Sequence, residues 1–336
     1  MKKRTAICCG IFVFVYVGFF LSFPDFFKYP AVPPDKGSGE KIIVNIPPGQ
    51  GFALTARTLH EAGIVSSLSG FRWIARIKGA DKKIRAGEYL LSSDMSPHRV
   101  LEILTSGKVL LRKLTIPEGH NLYQIAAAVA QAGLGTREDF FRNATDAVFA
   151  DEKGIGYQTF EGYLFPDTYR FPKSAGVKKI IASMLKQFRS VFTREWIEQA
   201  EKMGFTVHQM VTLASVVEKE TGDPAERPII ASVFHNRLRK KMRLQSDPTV
   251  IYGIRNFDGN LTKKHLRTHT PYNTYRIRGL PPGPIANPGR ASLEAVLYPA
   301  DTKFFYFVSK KDKTHKFSEN LKEHNRAVRK YQLGKK

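Results

Sequence analysis

Only two cysteines occur in the 336 residues, Cys8 and Cys9, and both lie in an apolar run at the N-terminus. The remainder of the chain therefore has no disulfide and no thiol nucleophile, which suits an oxidising compartment without requiring one. Acidic residues are scarce as well: 30 Asp and Glu stand against 53 Lys and Arg, a formal net charge of +23. No Gly-x-Ser-x-Gly elbow, Walker loop or Rossmann fingerprint is present, which removes the common serine-hydrolase and nucleotide readings. No zinc-finger, helix-turn-helix or RNP pattern accompanies the positive charge, and the basic residues are spread along the chain. An anionic membrane surface or an acidic polymer fits this balance better than nucleic acid. His265 and His269 have i,i+4 spacing, but no glutamate lies between them and no third ligand is evident. Neither a metal nor any other cofactor is expected.

What the chain does have begins with Lys2-Lys3-Arg4 and, from Ala6 to Phe23, eighteen uncharged residues. At 1.5 Å per residue the run reaches about 27 Å, enough to cross a hydrocarbon core. No small-x-small cleavage site closes it, and the aromatic stretch Pro24 to Pro30 suits a membrane interface. The expectation is an uncleaved single-pass anchor at 1–29, with its basic end in the cytoplasm and everything after it outside the cytoplasmic membrane. A Pro/Gly-rich linker follows at 30–40.

An internal repeat comes next. Ile46-Pro-Pro-Gly49 and Ile116-Pro-Glu-Gly119 are seventy residues apart, and the offset also matches Ala56 with Ala126, Gly63 with Gly133, and Ile64 with Leu134. Each copy reads as a strand, a Pro-Gly turn and an amphipathic helix ending at Gly. Ile84 to Leu91 reads as a strand and Pro97 to Thr105 as a short helix. Residues 41–108 thus form a small α/β module close in layout to LysM, and 109–157 a second strand-helix repeat with a connection.

The chemistry concentrates after Thr206. Thr206 with Gln209 has the form of a capping box, so a helix should start there. Val207, Met210, Val211, Ala214 and Val217 mark one apolar stripe, and Glu218 continues it while Glu220 points elsewhere. A carboxyl on an apolar face is costly unless it is paired or protonated, and burial raises its pKa. A carboxyl that stays protonated near neutral pH is what general-acid cleavage of a glycosidic bond requires. The plainer alternative is an ion pair with an arginine at the edge of the core. Asp223-Pro-Ala-Glu226 is a second helix start, although Pro228 points to a later one.

Six blocks carry a resemblance: Glu161 to Tyr169, Ala214 to Glu220, Ala231 to Leu238, Leu244 to Gly253, Pro271 to Tyr275, and Gly279 to Gly289. In this order they resemble the signature blocks of the YceG-like endolytic murein transglycosylases (MltG). The resemblance implies an α+β fold: an N-terminal transmembrane helix, a LysM-like module and a mixed catalytic domain, here 158–330, before a basic tail at 331–336. It implies cleavage of the MurNAc-GlcNAc bond of nascent peptidoglycan strands with 1,6-anhydro-MurNAc formation. Glu218 would be the single general acid and base, because the substrate's own C6 hydroxyl attacks where a glycoside hydrolase needs a second carboxyl. Expected substrate-binding residues are Glu161, Asn236, Gln245, Asp247, Tyr252, Tyr272, Asn273 and Asn287. Glu161, Asp167 and Asp247 are the candidates for any second carboxyl. Peptidoglycan synthases are the implied protein partners, and no nucleic acid is expected. A hydrolytic muramidase and a non-enzymatic, LysM-like glycan-binding scaffold are the competing readings.

Overall fold

A computed structural model describes Tyr29, Pro33 and residues 39–220, 223–254 and 256–334. The expected anchor at 1–29, apart from Tyr29, and most of the linker lie outside the described residues. Among the described residues, no helix is long and apolar enough to cross a membrane. Helices and short two-stranded sheets make the chain α+β. It divides into two compact units, one of the described residues up to Arg112 with Pro172–Ser174, the other of Lys113–Phe171 and the residues from Ala175 onward.

In the first unit β1 (Lys41–Ile46) pairs antiparallel with β2 (Gly87–Ser92), Ile46 opposite Gly87. Alternation puts Val44 and Ile46 inside and Ile43 outside. Three helices, α1 (Phe52–Glu61), α2 (Leu68–Ile77) and α3 (Pro97–Ser106), complete the core with Leu59, Phe71, Ile74, Val100 and Leu104. Serine caps start two of them: Ser67 accepts from Gly70 N–H, and Ser96 from Arg99 N–H with Pro97 in the first turn. α2 was not expected from the sequence, although Ser67 followed by Phe71, Ile74 and Ala75 is a legible cap and stripe.

The second unit starts within β3 (Leu111–Thr115), which pairs with β4 (Thr168–Pro172). Between them lie α4 (Leu122–Gln131), α5 (Arg137–Ala144) and α6 (Ala147–Glu152). Then come α7 (Val177–Val191), α8 (Arg194–Lys202), α9 (Val207–Glu220), α10 (Arg227–Arg239), α11 (Asp247–Tyr252), α12 (Lys263–Arg267) and α13 (Arg290–Leu297). The hairpin β5 (Tyr306–Ser309), β6 (His315–Ser318) and helix α14 (Leu321–Tyr331) close the chain.

The expected capping box forms: Gln209 Oε1 accepts from Thr206 N–H at 2.8 Å and Thr206 Oγ1 from Gln209 N–H at 3.2 Å. One expectation is corrected, however. α9 has no single apolar stripe, because every residue from Met210 to Val217 is buried. α8, α10, α11 and α13 pack around it, so all its faces are interior. Its two hydroxyls are satisfied locally: Thr212 Oγ1 donates to His208 O (2.7 Å) and Ser215 Oγ to Thr212 O (2.7 Å). Each fully buried Leu or Val here contributes about 1.5–3 kcal/mol relative to an exposed one. That packing makes α9 a rigid post, with its last turn at the edge of the core.

The seventy-residue repeat also reappears in the backbone. The burial order of 41–46 recurs at 111–116. Gly49 and Gly119 have φ of 81° and 74°, Gly63 and Gly133 have 71° and 65°, values that L side chains avoid.

Candidate active site

Glu218 lies in the last turn of α9, where the helix leaves the core. Its Oε2 accepts from the N–H of Gly289, 3.1 Å away at the start of α13. A backbone N–H at a helix N-terminus is suited to a negative charge. Oε1 lies 3.5 Å from Nη2 of Arg227, the first residue of α10, and the two side chains are only 6% and 11% exposed. The carboxyl at this depth is therefore paired. At 3.5 Å the contact with Arg227 is longer than the 2.7–2.9 Å of a full charge-assisted bond, and Arg227 Nε is buried with no hydrogen-bond partner among the described residues.

A second carboxyl reaches the same guanidinium. Glu118 Oε2 is 3.9 Å from Arg227 Nη2, and its side chain is half exposed. Glu118 presses on the same stretch of backbone as Glu218, since a Cβ added at Gly289 would fall 1.8 Å from Glu118 Oε1. Sequence reasoning passed over Glu118. The available signal was the one position where the two Ile-Pro-x-Gly turns differ, Pro48 in the first and Glu118 in the second.

The turn carrying Glu118 is tied down by Asn287. Gly119 N–H donates to Asn287 O and Asn287 N–H to His120 O, both at 2.9 Å. The Asn287 side chain accepts from Leu164 N–H (2.8 Å) and donates to His120 O (2.9 Å) and Glu161 Oε1 (3.0 Å). Glu161 Oε2 accepts from Leu122 N–H at 3.1 Å and from Tyr252 OH at 3.0 Å. Tyr252 in turn lies against Tyr272, with ring centroids 4.9 Å apart. Burial pushes the Glu161 carboxyl up to about 7, against the pull of its N–H and O–H donors. Of the expected binding residues, Glu161, Tyr252, Tyr272 and Asn287 are thus brought together, with Asn287 bonded directly to the Glu118 turn and Glu161 bonded to Asn287.

Glu220 points away from Glu218, to another cluster. Its Oε1 accepts from Ser246 Oγ, while Tyr275 OH donates to Asp247 Oδ1 at 2.7 Å. Burial, with Asp247 nearby, pushes the Glu220 carboxyl up to about 7. Glu220, Arg237, Gln245, Asp247 and Tyr275 line a cavity of about 390 Å³. Gln245 stands there with a φ of 52°, a strained value for a residue with a side chain. The remaining two residues lie elsewhere. The Asn236 amide donates to Thr302 O and Phe304 O, and the Asn273 amide to three carbonyls at the end of α12. Among the described residues no group of three or more His, Cys, Asp or Glu could hold a metal ion.

A sequence model of the YceG-like family matches residues 44–330. The chain belongs to the YceG-like family. An endolytic murein transglycosylase of Bacillus subtilis (strain 168) is 36% identical over 316 residues, which cover 89% of this chain and 87% of the relative. One from Streptococcus pneumoniae (strain D39) is 30% identical over 330 residues, covering 88% of this chain and 59% of the longer relative. A crystal structure of a yceG-like protein from Listeria monocytogenes has 34% identity and a TM-score of 0.60, over 86% of this chain and 99% of that one.

The six sequence blocks acquire positions in this YceG-like fold. Ala214 to Glu220 is the end of α9 and Ala231 to Leu238 lies on α10. Glu161 and the Gly279 to Gly289 stretch brace the Glu118 turn and supply the N–H that holds Glu218. The arrangement offers a carboxyl flanked by a backbone donor and a guanidinium, both able to stabilise its ionised form after it gives up a proton.

Proposed function

We propose that this YceG-like protein is an endolytic murein transglycosylase whose single general acid and base is Glu218. The observation that supports it is the position of this carboxyl, in the last turn of a helix rigidly packed in the core, with one oxygen fixed by Gly289 N–H. Glu218 donates its proton to the oxygen between MurNAc and GlcNAc as the C1–O bond breaks. The carboxylate left behind is stabilised by Gly289 N–H and Arg227. It then takes the proton from the C6 hydroxyl of MurNAc as O6 bonds to C1 and the 1,6-anhydro ring closes, so the proton count balances with no water consumed. The neighbouring N-acetyl group stabilises the positive intermediate.

The N-terminal apolar run and the surplus of basic residues support an anchored protein working outside the cytoplasmic membrane, on new and acidic glycan near the synthases. Residues 41–108 serve in this reading as a LysM-like module that sets the reach of the catalytic unit or grips glycan. Mass spectrometry of glycan strands digested by the full-length protein tests the reaction. Products ending in 1,6-anhydro-MurNAc are expected; reducing ends mean a muramidase, and undigested strands mean a binding scaffold.

A further inference from the structure

A neighbouring cation poorly serves a group that must give up a proton, and Arg227 Nη2 lies 3.5 Å from Glu218 Oε1. The structure places a second carboxyl on the same cation. We propose that Glu118 is a positioning residue for the reaction: by drawing on the same Arg227 guanidinium, it weakens that cation's hold on Glu218. This rests on Glu218 being the acid.

Three observations carry it. Arg227 Nη2 is within reach of both carboxyls, 3.5 Å from Glu218 and 3.9 Å from Glu118. Gly289 has no side chain at the point where Glu118 Oε1 rests, so the backbone that fixes Glu218 also makes room for Glu118. Asn287 locks the Glu118 turn in place through Gly119 and His120. The remaining charges facing the pair are few. From α9, Lys219 Nζ donates to Gly119 O at 3.3 Å. From the turn, His120 has its pKa lowered by burial and by Lys219, which favours the neutral ring. From α13, Arg290 stacks over the ring of Trp196 instead. One guanidinium within reach of two carboxyls cannot make a full-strength contact with each, so any hold it has on one is shared with the other. Consistent with this, burial and then Glu218 raise the Glu118 pKa while Arg227 lowers it.

The test is the pH profile of kcat/KM for strand cleavage by the full-length protein. Glu118→Gln leaves Arg227 undivided for Glu218. Activity near pH 7 should then fall about tenfold and the alkaline limb should move about one pH unit lower, with recovery on the acid side. Glu118→Asp should restore part of the limb. A uniform loss with the limb unmoved, or no change at all, overturns the proposal. Glu218→Gln separates the two readings. If it cleaves normally, Glu218 is not the acid and both fail; if it is inactive while Glu118→Gln leaves the limb in place, only this one fails.

Discussion

The two Ile-Pro-x-Gly turns have one backbone and two surroundings. Each follows a strand with the same burial order and uses a glycine of φ near 80° to enter a helix. A Cβ added at Gly49 would meet nothing within 4 Å, whereas one at Gly119 would lie 3.5 Å from Glu218 Cγ. The helix after the first turn starts at Gly51 with no side-chain cap. The helix after the second has a capping box at Asn121 and the carboxylate of Glu161 on Leu122 N–H. A strand-turn-helix element is thus a neutral piece of architecture. It becomes part of a site where its turn residue is an acid, its helix start is capped twice, and α9 lies beside it.

The largest effect that this contrast predicts falls on Glu218. Glu218→Gln keeps the shape and can still accept from Gly289 N–H, so the fold should survive, with a lower thermal midpoint because the buried Arg227 loses a charged partner. Cleavage should drop by about 10²–10⁴-fold, the usual contribution of a general acid. Strand digestion beside a thermal melt measures both. Wild-type rates in the variant would reduce the second turn to the status of the first.

Glu161 is next, and its effect is on stability. It is 2% exposed, and burial holds its carboxyl at about 7 against an ordinary value of 4.5. Between those values the folded chain keeps a proton that the unfolded chain releases. The stabilisation is complete at acidic pH and is lost as pH rises through 7, by up to about 1.4 kcal/mol per pH unit. Glu161→Gln cannot ionise, so comparing urea midpoints at about pH 5 and pH 7.5 should show a flatter dependence than in the wild type. An equal slope would mean that the double capping of α4 does not depend on this proton.

Smaller still is Gly289→Ala. The N–H to Glu218 survives, but the new methyl occupies the place of Glu118 Oε1. Glu118 is half exposed and can swing outward, so the fold should tolerate the change. Cleavage near pH 7 should fall severalfold, with the alkaline limb displaced in the same direction as in Glu118→Gln. A shift in the opposite direction would show that Gly289 matters for its helix start alone.

Features of the site set by neighbouring residues were legible in the sequence. The capping box at Thr206 and Gln209, the Asp223-Pro224 start before α10 and the seventy-residue repeat are local chemistry, fixed within a few residues of chain. Pro228 proves compatible with the first turn of α10, where a missing N–H costs little. The burial of α9 on every side was not legible, because it depends on four helices brought in from both directions along the chain. Glu118 was hidden for the same reason: in an exposed turn it looks like a solvated charge, and its arginine is more than a hundred residues away. Sequence likewise shows that Asn236 and Asn273 can bind a sugar amide, but not that backbone carbonyls already face their amides.

The smallest effect belongs to the mirror substitution, Pro48→Glu, which writes the second turn's residue into the first. Gln50 N–H donates to Pro47 O across this turn at 3.2 Å, which puts Pro48 at the position where proline presets the backbone before a glycine of positive φ. Losing that proline frees the unfolded chain and should cost about 0.4–1 kcal/mol. Cleavage and its pH profile should be unchanged, because a Cβ at Gly49 meets nothing within 4 Å, where one at Gly119 meets Glu218. An altered alkaline limb in Pro48→Glu would contradict this, since a glutamate at that turn would then act without Arg227 and Glu218 as its neighbours.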